Sequence, residues 1–339
     1  MNNTPEKGTT AMEPLVSLRN LKKYFPIGGG LLKKAKSNVH AVDDVNLDIR
    51  ERETLGLVGE SGCGKTTIGR LALKLLPKTE GEIYFRGQDI YKYNPDQEKK
   101  FRQQAQLIFQ DSFSSFDSRN RIGDIIGEPL IAHNIAQGSE LEDRVAELLK
   151  TVGLKTDLMY EYPHTLAAGQ KQCVGIARSI ALRPSFIVAD EPISALDVSV
   201  RAMVLNLMKS LQTSQDLTYM FISHDIRVVR WLSSHLAVMY LGKLVEYGET
   251  EEVFNNRLHP YTEALLNAVP IEDPRDRDIE KSILLGEVPS PVDPPPGCRF
   301  APRCKLAKER CRQENPVLEE RRPGHLVACF ENYHGDSEI

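Results

Sequence analysis

The stretch Gly59-Glu60-Ser61-Gly62-Cys63-Gly64-Lys65-Thr66-Thr67 constrains this chain more than any other. It fits G-x-x-x-x-G-K-S/T, a glycine-rich loop whose backbone N–H groups cradle a polyphosphate. The apolar run from Glu53 to Val58 before it reads as a short buried strand, and Ile68 to Leu73 after it reads as the start of a helix. That context is what the loop requires. A helix N-terminus directs unpaired N–H groups and partial positive charge at an anion. Lys65 is expected to reach the β- and γ-phosphates, and the Thr66 hydroxyl to join Mg²⁺. The stretch is read as a nucleotide site.

The chain has 339 residues, which suits one domain of ordinary size plus a smaller one. A net charge of −4 argues against a protein held to nucleic acid by overall charge. Residues 1–14 read as a disordered tail with no apolar signal core, and no apolar run approaches the roughly 18 residues of a membrane span. A cytosolic setting is therefore expected, with reduced cysteines. Cys298, Cys304, Cys311 and Cys329 all fall in the last 42 residues, and in a reducing compartment such clustering points to metal.

Strands and helices alternate along much of the chain. Leu15 to Leu21 reads as an edge strand stopped by Tyr24-Phe25-Pro26, and Gly28-Gly29-Gly30 with Lys33, Lys34 and Lys36 as a flexible basic loop. Val39 to Ile49 and Gly81 to Phe85 read as strands, as does Ala105 to Phe109, ending in Gln110. From about 112 to 175 the pattern turns helical. The strand Ser185 to Ala189 ends in Asp190-Glu191, and Leu217 to Ile222 ends in Ser223-His224-Asp225. Such alternation implies an α/β fold with a mostly parallel sheet and a ligand at the strands' carboxyl ends. An acidic residue at a strand end can hold Mg²⁺ and a second can orient water, so Asp190 and Glu191 are candidates for those roles. Gln110 could contact both metal and water, and His224 the γ-phosphate.

In this order the elements resemble the nucleotide-binding subunit of an ABC transporter, over residues 15 to about 250. The resemblance implies a P-loop NTPase of ABC type, with Gly59–Thr67 as Walker A. Gly59, Ser61, Gly62, Cys63, Gly64, Lys65, Thr66 and Thr67 would then hold ATP, and Phe25, with Tyr24 as the alternative, would stack on adenine. Gln110 is the Q-loop glutamine, Phe186–Asp190 is Walker B, Glu191 the catalytic base, Asp197 the D-loop aspartate and His224 the switch histidine. Thr66, Gln110 and Asp190 would surround Mg²⁺. Leu166-Ala167-Ala168-Gly169-Gln170 takes the place of the family signature L-S-G-G-Q, departing at Ala167 and Ala168. In this family the signature acts on the ATP bound by the opposite subunit. Cys63 sits at a free position as a small filler, and its place near a helix N-terminus would make it reactive.

Past residue 250 the composition changes. Residues 251–339 read as a small appended domain, with a charged linker at 271–281 and five prolines between Pro289 and Pro296. His259-Pro260-Tyr261-Thr262, Gly286-Glu287-Val288-Pro289-Ser290-Pro291 and Pro295-Pro296-Gly297-Cys298 resemble the extension of dipeptide and oligopeptide importer ATPases, most of all the F-type second ATPase of dipeptide importers. The cysteine spacing x₅, x₆, x₁₇ lets the four thiols converge, which suits structural zinc or an iron–sulfur centre. The resemblance favours a 4Fe–4S cluster, with zinc the runner-up. Arg299, Arg303, Lys305 and Arg310 would either offset the cluster's charge or stand solvated.

The resemblance further implies a peripheral subunit on the cytoplasmic face of the membrane. It would pair with a second, non-identical ATPase on two permease subunits fed by an extracytoplasmic peptide-binding protein. Phe113 to Glu128 would contact the permeases. An importer of nickel or another small solute, and an ATP-binding subunit that regulates rather than hydrolyses, share these motifs. A soluble ABC ATPase acting on nucleic acid would fuse two such units or carry coiled-coil inserts, and the sequence has neither.

Overall fold

The computed structural model describes residues 13–28, 37–110, 115–268, 289–294 and 296–331. The expected tail before Glu13, most of the basic glycine loop, Phe113, the 271–281 linker, Gly286 to Val288 and Pro295 lie outside them.

Two sheets organise the chain. The smaller is antiparallel in order β2-β1-β4-β5, built from β1 (Val16–Ile27), β2 (Ser37–Ile49), β4 (Glu80–Phe85) and β5 (Gln88–Asp89). The larger has order β11-β12-β10-β9-β3-β8-β7-β6. Its parallel centre is β3 (Thr54–Val58), β6 (Ala105–Ile108), β7 (Phe186–Asp190), β8 (Thr218–Ile222) and β9 (His235–Tyr240). Antiparallel β10 (Lys243–Glu249), β11 (Glu319–Arg322) and β12 (His325–Val327) extend one side.

The helices in chain order are α1 (Lys65–Ala72), α2 (Pro95–Gln104), α3 (Ile122–Ala132), α4 (Gly138–Thr151), α5 (Ala168–Ile180), α6 (Val198–Gln215), α7 (Ile226–Leu232), α8 (Thr250–Asn255), α9 (Pro260–Asn267) and α10 (Glu309–Gln313). Among the described residues none is long and apolar enough to cross a membrane.

Strand β7 shows how sequence makes the core. All five residues are buried, as in a parallel strand covered on both faces. Phe186 and Val188 pack on one side, with Met220 and Ile222 of β8 and with Leu18, Leu47 and Ile68. Ile187 and Ala189 pack on the other, with Phe221, with Val174 and Ile176 of α5, and with Val204 and Met208 of α6. The period-two alternation thus places the small sheet and α1 on one face of the large sheet, and α5 and α6 on the other.

Three expectations need correction. Strand β1 is not an edge strand, because it lies between β2 and β4. Nor do Tyr24-Phe25-Pro26 stop it, since pairing with β2 continues to Ile27. Beyond Lys22 it has lost β4 as a neighbour, and a proline is tolerated where only one edge needs donors. Finally, the C-terminal segment is not simply appended. Strand β12 pairs with β10, and Phe300, Tyr261 and Val253 join the main core.

Candidate functional site

Strand β3 is wholly buried, parallel to β8 and β9, and delivers the chain directly into the glycine loop. Gly64 has φ 108°, and a Cβ there would lie 2.0 Å from the Ala41 carbonyl oxygen, so no other residue fits. Helix α1 starts at the next residue. Lys65 is 5% exposed, and its Nζ donates to the carbonyls of Gly59 at 2.8 Å and Glu60 at 3.0 Å. The ammonium is thus folded over the loop that its N–H groups line. Cys63 is buried 3.8 Å from Lys65 Nζ, and burial pushes its thiol pKa up. Burial thus disfavours the reactive thiolate expected at this position.

The glycine loop and the end of β7 meet directly. Thr66 Oγ1 donates to Asp190 Oδ1 at 2.8 Å. Asp190 closes β7 and is 5% exposed; burial raises its carboxyl pKa, while Thr66 and Arg70 oppose the rise. These hard oxygen donors, one anionic and one hydroxyl, are the kind Mg²⁺ takes.

Glu191 is the convergence point of the strand ends. It has φ 46°, a left-handed conformation uncommon outside glycine, and its N–H donates to Ile222 O at 3.0 Å. Its Oε2 accepts from Gln110 Nε2 at 3.1 Å and lies 3.4 Å from His224 Nδ1. The structure therefore brings Gln110 and His224, 114 residues apart in sequence, onto one carboxylate. The His224 side chain is 62% exposed.

The remaining predicted residues stand apart from this cluster. Ala167 and Ala168 are exposed at the start of α5, and Ala167 N donates to the Gln170 side-chain oxygen at 3.0 Å. Gly169 is buried so tightly that a Cβ would come within 2.5 Å of Val200. Asp197 caps α6, accepting from Val200 N at 2.9 Å and from Ser199 at 2.8 Å, and these donors hold its carboxyl low. Tyr24 is engaged, donating to Asp43 and stacked on His40 with ring centroids 4.1 Å apart. Phe25 is 37% exposed, with the Lys23 ammonium 4.8 Å from its ring centroid.

The four C-terminal cysteines line one cavity with His259, Phe300 and Leu306. Burial raises the Cys298, Cys304 and Cys329 thiol pKa values, with Cys329 pushed up to about 11, and the neighbouring thiols add to the rise. Among the described residues, however, no group of three or more Cys, His, Asp or Glu is gathered to hold a metal ion.

Sequence reading missed what the intervening arginines do. The side chains of Arg299 and Arg303 are each 5% exposed, so neither is solvated. They reach core carboxylates instead. Arg299 meets Asp43 and the Leu241 carbonyl, and Arg303 grips Glu60 of the glycine loop. Tyr261 joins them through its hydroxyl, which accepts from Glu60 N at 2.9 Å. The available signal was a carboxylate at a motif position that needs none.

A doubly covered parallel sheet, a lysine-bearing glycine loop, and a glutamine and histidine on one post-strand glutamate together define an ABC-type ATPase. The chain matches the family "ABC transporter" over residues 42–194 and "Oligopeptide/dipeptide transporter, C-terminal region" over 245–311. It is 47% identical to the oligopeptide transport ATP-binding protein AppF of Bacillus subtilis, across 94% of this chain and 97% of that one. Against the dipeptide transport ATP-binding protein DppF of Escherichia coli, identity is 44% over 95% of each chain. A dimeric ATP-binding cassette solved after hydrolysis, with ADP and Pi bound, superposes with TM-score 0.62 at 28% identity, covering 69% of this chain and 98% of that one. The chain belongs to the oligopeptide/dipeptide transport ATP-binding family of ABC ATPases.

Proposed function

We propose that this chain hydrolyses ATP to drive uptake of dipeptides or oligopeptides, as one of two non-identical ATPases beneath two permeases at the cytoplasmic face of the membrane. The observation that carries the cargo class is identity of 44–47% to peptide-transport subunits over nearly full length. In this reading Lys65 exchanges the Gly59 and Glu60 carbonyls for phosphate oxygens. Thr66 and Asp190 would hold Mg²⁺, which would supply charge neutralisation at the phosphates. Glu191 orients the attacking water, with Gln110 and His224 fixing its carboxylate. Phe25 stacks on adenine, and Ala167 to Gln170 with Asp197 face the partner's nucleotide.

The test is reconstitution of the chain with its permeases, second ATPase and binding protein in vesicles. ATP-dependent accumulation of labelled di- or oligopeptides is expected. Transport of nickel without peptides would transfer the assignment to the small-solute alternative. Binding of ATP with no turnover attributable to Glu191 would favour the regulatory one.

The cysteine quartet is proposed to hold one 4Fe–4S cluster. What supports this reading is that the four thiols line one cavity, a donor set that an iron–sulfur cluster takes.

A further inference from the structure

Glu60 presents a physical problem. It is the second residue of a loop that binds anions, and its carboxylate adds negative charge beside the phosphates. The motif leaves the position free, so chemistry at the phosphates does not require it. Its surroundings show how the charge is handled. Arg303 donates a two-pronged fork, Nη1 to Oε2 at 2.7 Å and Nη2 to Oε1 at 3.0 Å, from a side chain only 5% exposed. Such bidentate pairs fix geometry as well as charge. The backbone of Glu60 is held too, its N–H by Tyr261 Oη at 2.9 Å and its carbonyl by Lys65 Nζ at 3.0 Å.

Both outside anchors belong to the C-terminal segment. Tyr261 and Tyr240 are fully buried with ring centroids 4.7 Å apart, and Phe300 packs on both at 5.3 and 5.4 Å. Arg303 closes the short turn Ala301–Arg303 immediately before Cys304. A second strut runs beside the first. Arg299 grips Asp43 and Leu241, and Gly242, next in chain, donates its N–H to the Cys63 carbonyl of the glycine loop at 2.8 Å.

We infer that Arg303 is a positioning residue for nucleotide binding: by neutralising and fixing Glu60, it lets the cysteine-bearing segment set the affinity of the phosphate loop for ATP. This rests on reading Gly59–Thr67 as the phosphate loop, and holds whichever group the thiols carry. Without Arg303, the Glu60 carboxylate would stand unpaired on the loop, a like charge to any polyphosphate bound there.

The test is equilibrium titration of the full-length protein with a Mg²⁺-bound, non-hydrolysable ATP analogue, with thermal unfolding to check folding. Arg303→Ala is expected to weaken binding about tenfold, and Arg303→Lys, which keeps charge without the fork, by about two- to threefold. Glu60→Gln removes the charge together with the fork, so it should weaken binding no more than Arg303→Lys does. The decisive variant is Arg303→Ala with Glu60→Gln, which removes the repulsion and should restore most of the affinity; a merely structural arginine would not be rescued so. Unchanged affinity in Arg303→Ala, or a double variant as weak as the single, would overturn the inference. If Arg303→Ala does not fold, Arg303→Lys with and without Glu60→Gln carries the same comparison. Wild-type affinity in Lys65→Ala would instead remove the phosphate-loop reading underneath.

Discussion

Oε2 of Glu191 accepts from Nε2 of Gln110 at 3.1 Å and lies 3.4 Å from Nδ1 of His224, so one carboxylate joins the ends of β6, β7 and β8. A general base gains from being fixed in this way, because its efficiency depends on where its lone pair points. Glu191→Gln preserves the shape and both neighbours while removing the basicity. It should leave ATP binding intact and cut turnover at this chain's site about 10²-fold. Single-turnover hydrolysis alongside equilibrium binding checks both. A wild-type rate would remove Glu191 from the mechanism.

Much of this site was legible because its residues end apolar strands. In β7 and β8, a run of buried β-formers stops at a polar residue, so position in sequence predicts position at the sheet's carboxyl edge. Helix α2 was missed although it carries a capping box between Asn94 and Gln97 with Pro95 at its first position. Strand β10 was missed although it forms a hairpin with β9 across Leu241-Gly242; its pairing with β12 joins distant parts of the chain. The arginine contacts were illegible because they too join distant parts of the chain. Arg303 and Glu60 are 243 residues apart, and a basic residue between cysteines looks the same whether it is solvated or gripping a core carboxylate.

Asp43 should make stability depend on acid pH. Burial opposes its ionisation, but the Tyr24 hydroxyl, Lys243 and Arg299 outweigh that and hold its pKa below the ordinary value of 3.8. A depressed carboxylate contributes stability above its unfolded pKa, and loses it as pH falls through the folded one. Asp43→Asn also strands the buried Arg299, so a loss of about 3 kcal/mol is expected near neutrality. Denaturant unfolding at several pH values checks the sign. The gap between variant and wild type should narrow as pH falls below about 3.9.

The cysteine quartet makes a compositional prediction. Anaerobically purified protein should be brown, with about four irons per chain. Cys304→Ser should lose colour and iron together. Colourless protein with one zinc per chain would decide for zinc instead.

The two ATP sites of the assembled transporter should be unequal. A signature serine would offer its hydroxyl, and the next glycine its unobstructed N–H, to the γ-phosphate held by the opposite subunit. Here Ala167 has no hydroxyl, and Gln170 reaches back to accept from Ala167 N. Ala168 adds an exposed methyl where backbone must come close. A lost hydrogen bond to a charged group costs roughly 1.5–3 kcal/mol, or about one to two decades in rate if it acts in the transition state. In the heterodimer proposed above the signature acts across the dimer, so the partner's site would bear that loss. This chain's Lys65, Asp190 and Glu191 would then meet the partner's signature, and turnover should concentrate here. Glu191→Gln in this chain should then abolish nearly all ATPase activity of the complex, and the equivalent change in the partner should have a mild effect. Restoring Ala167→Ser with Ala168→Gly should raise the partner site's contribution at least several-fold. Equal effects of the two glutamate changes, or no gain from the restored signature, would show that the alanines leave the γ-phosphate contact intact.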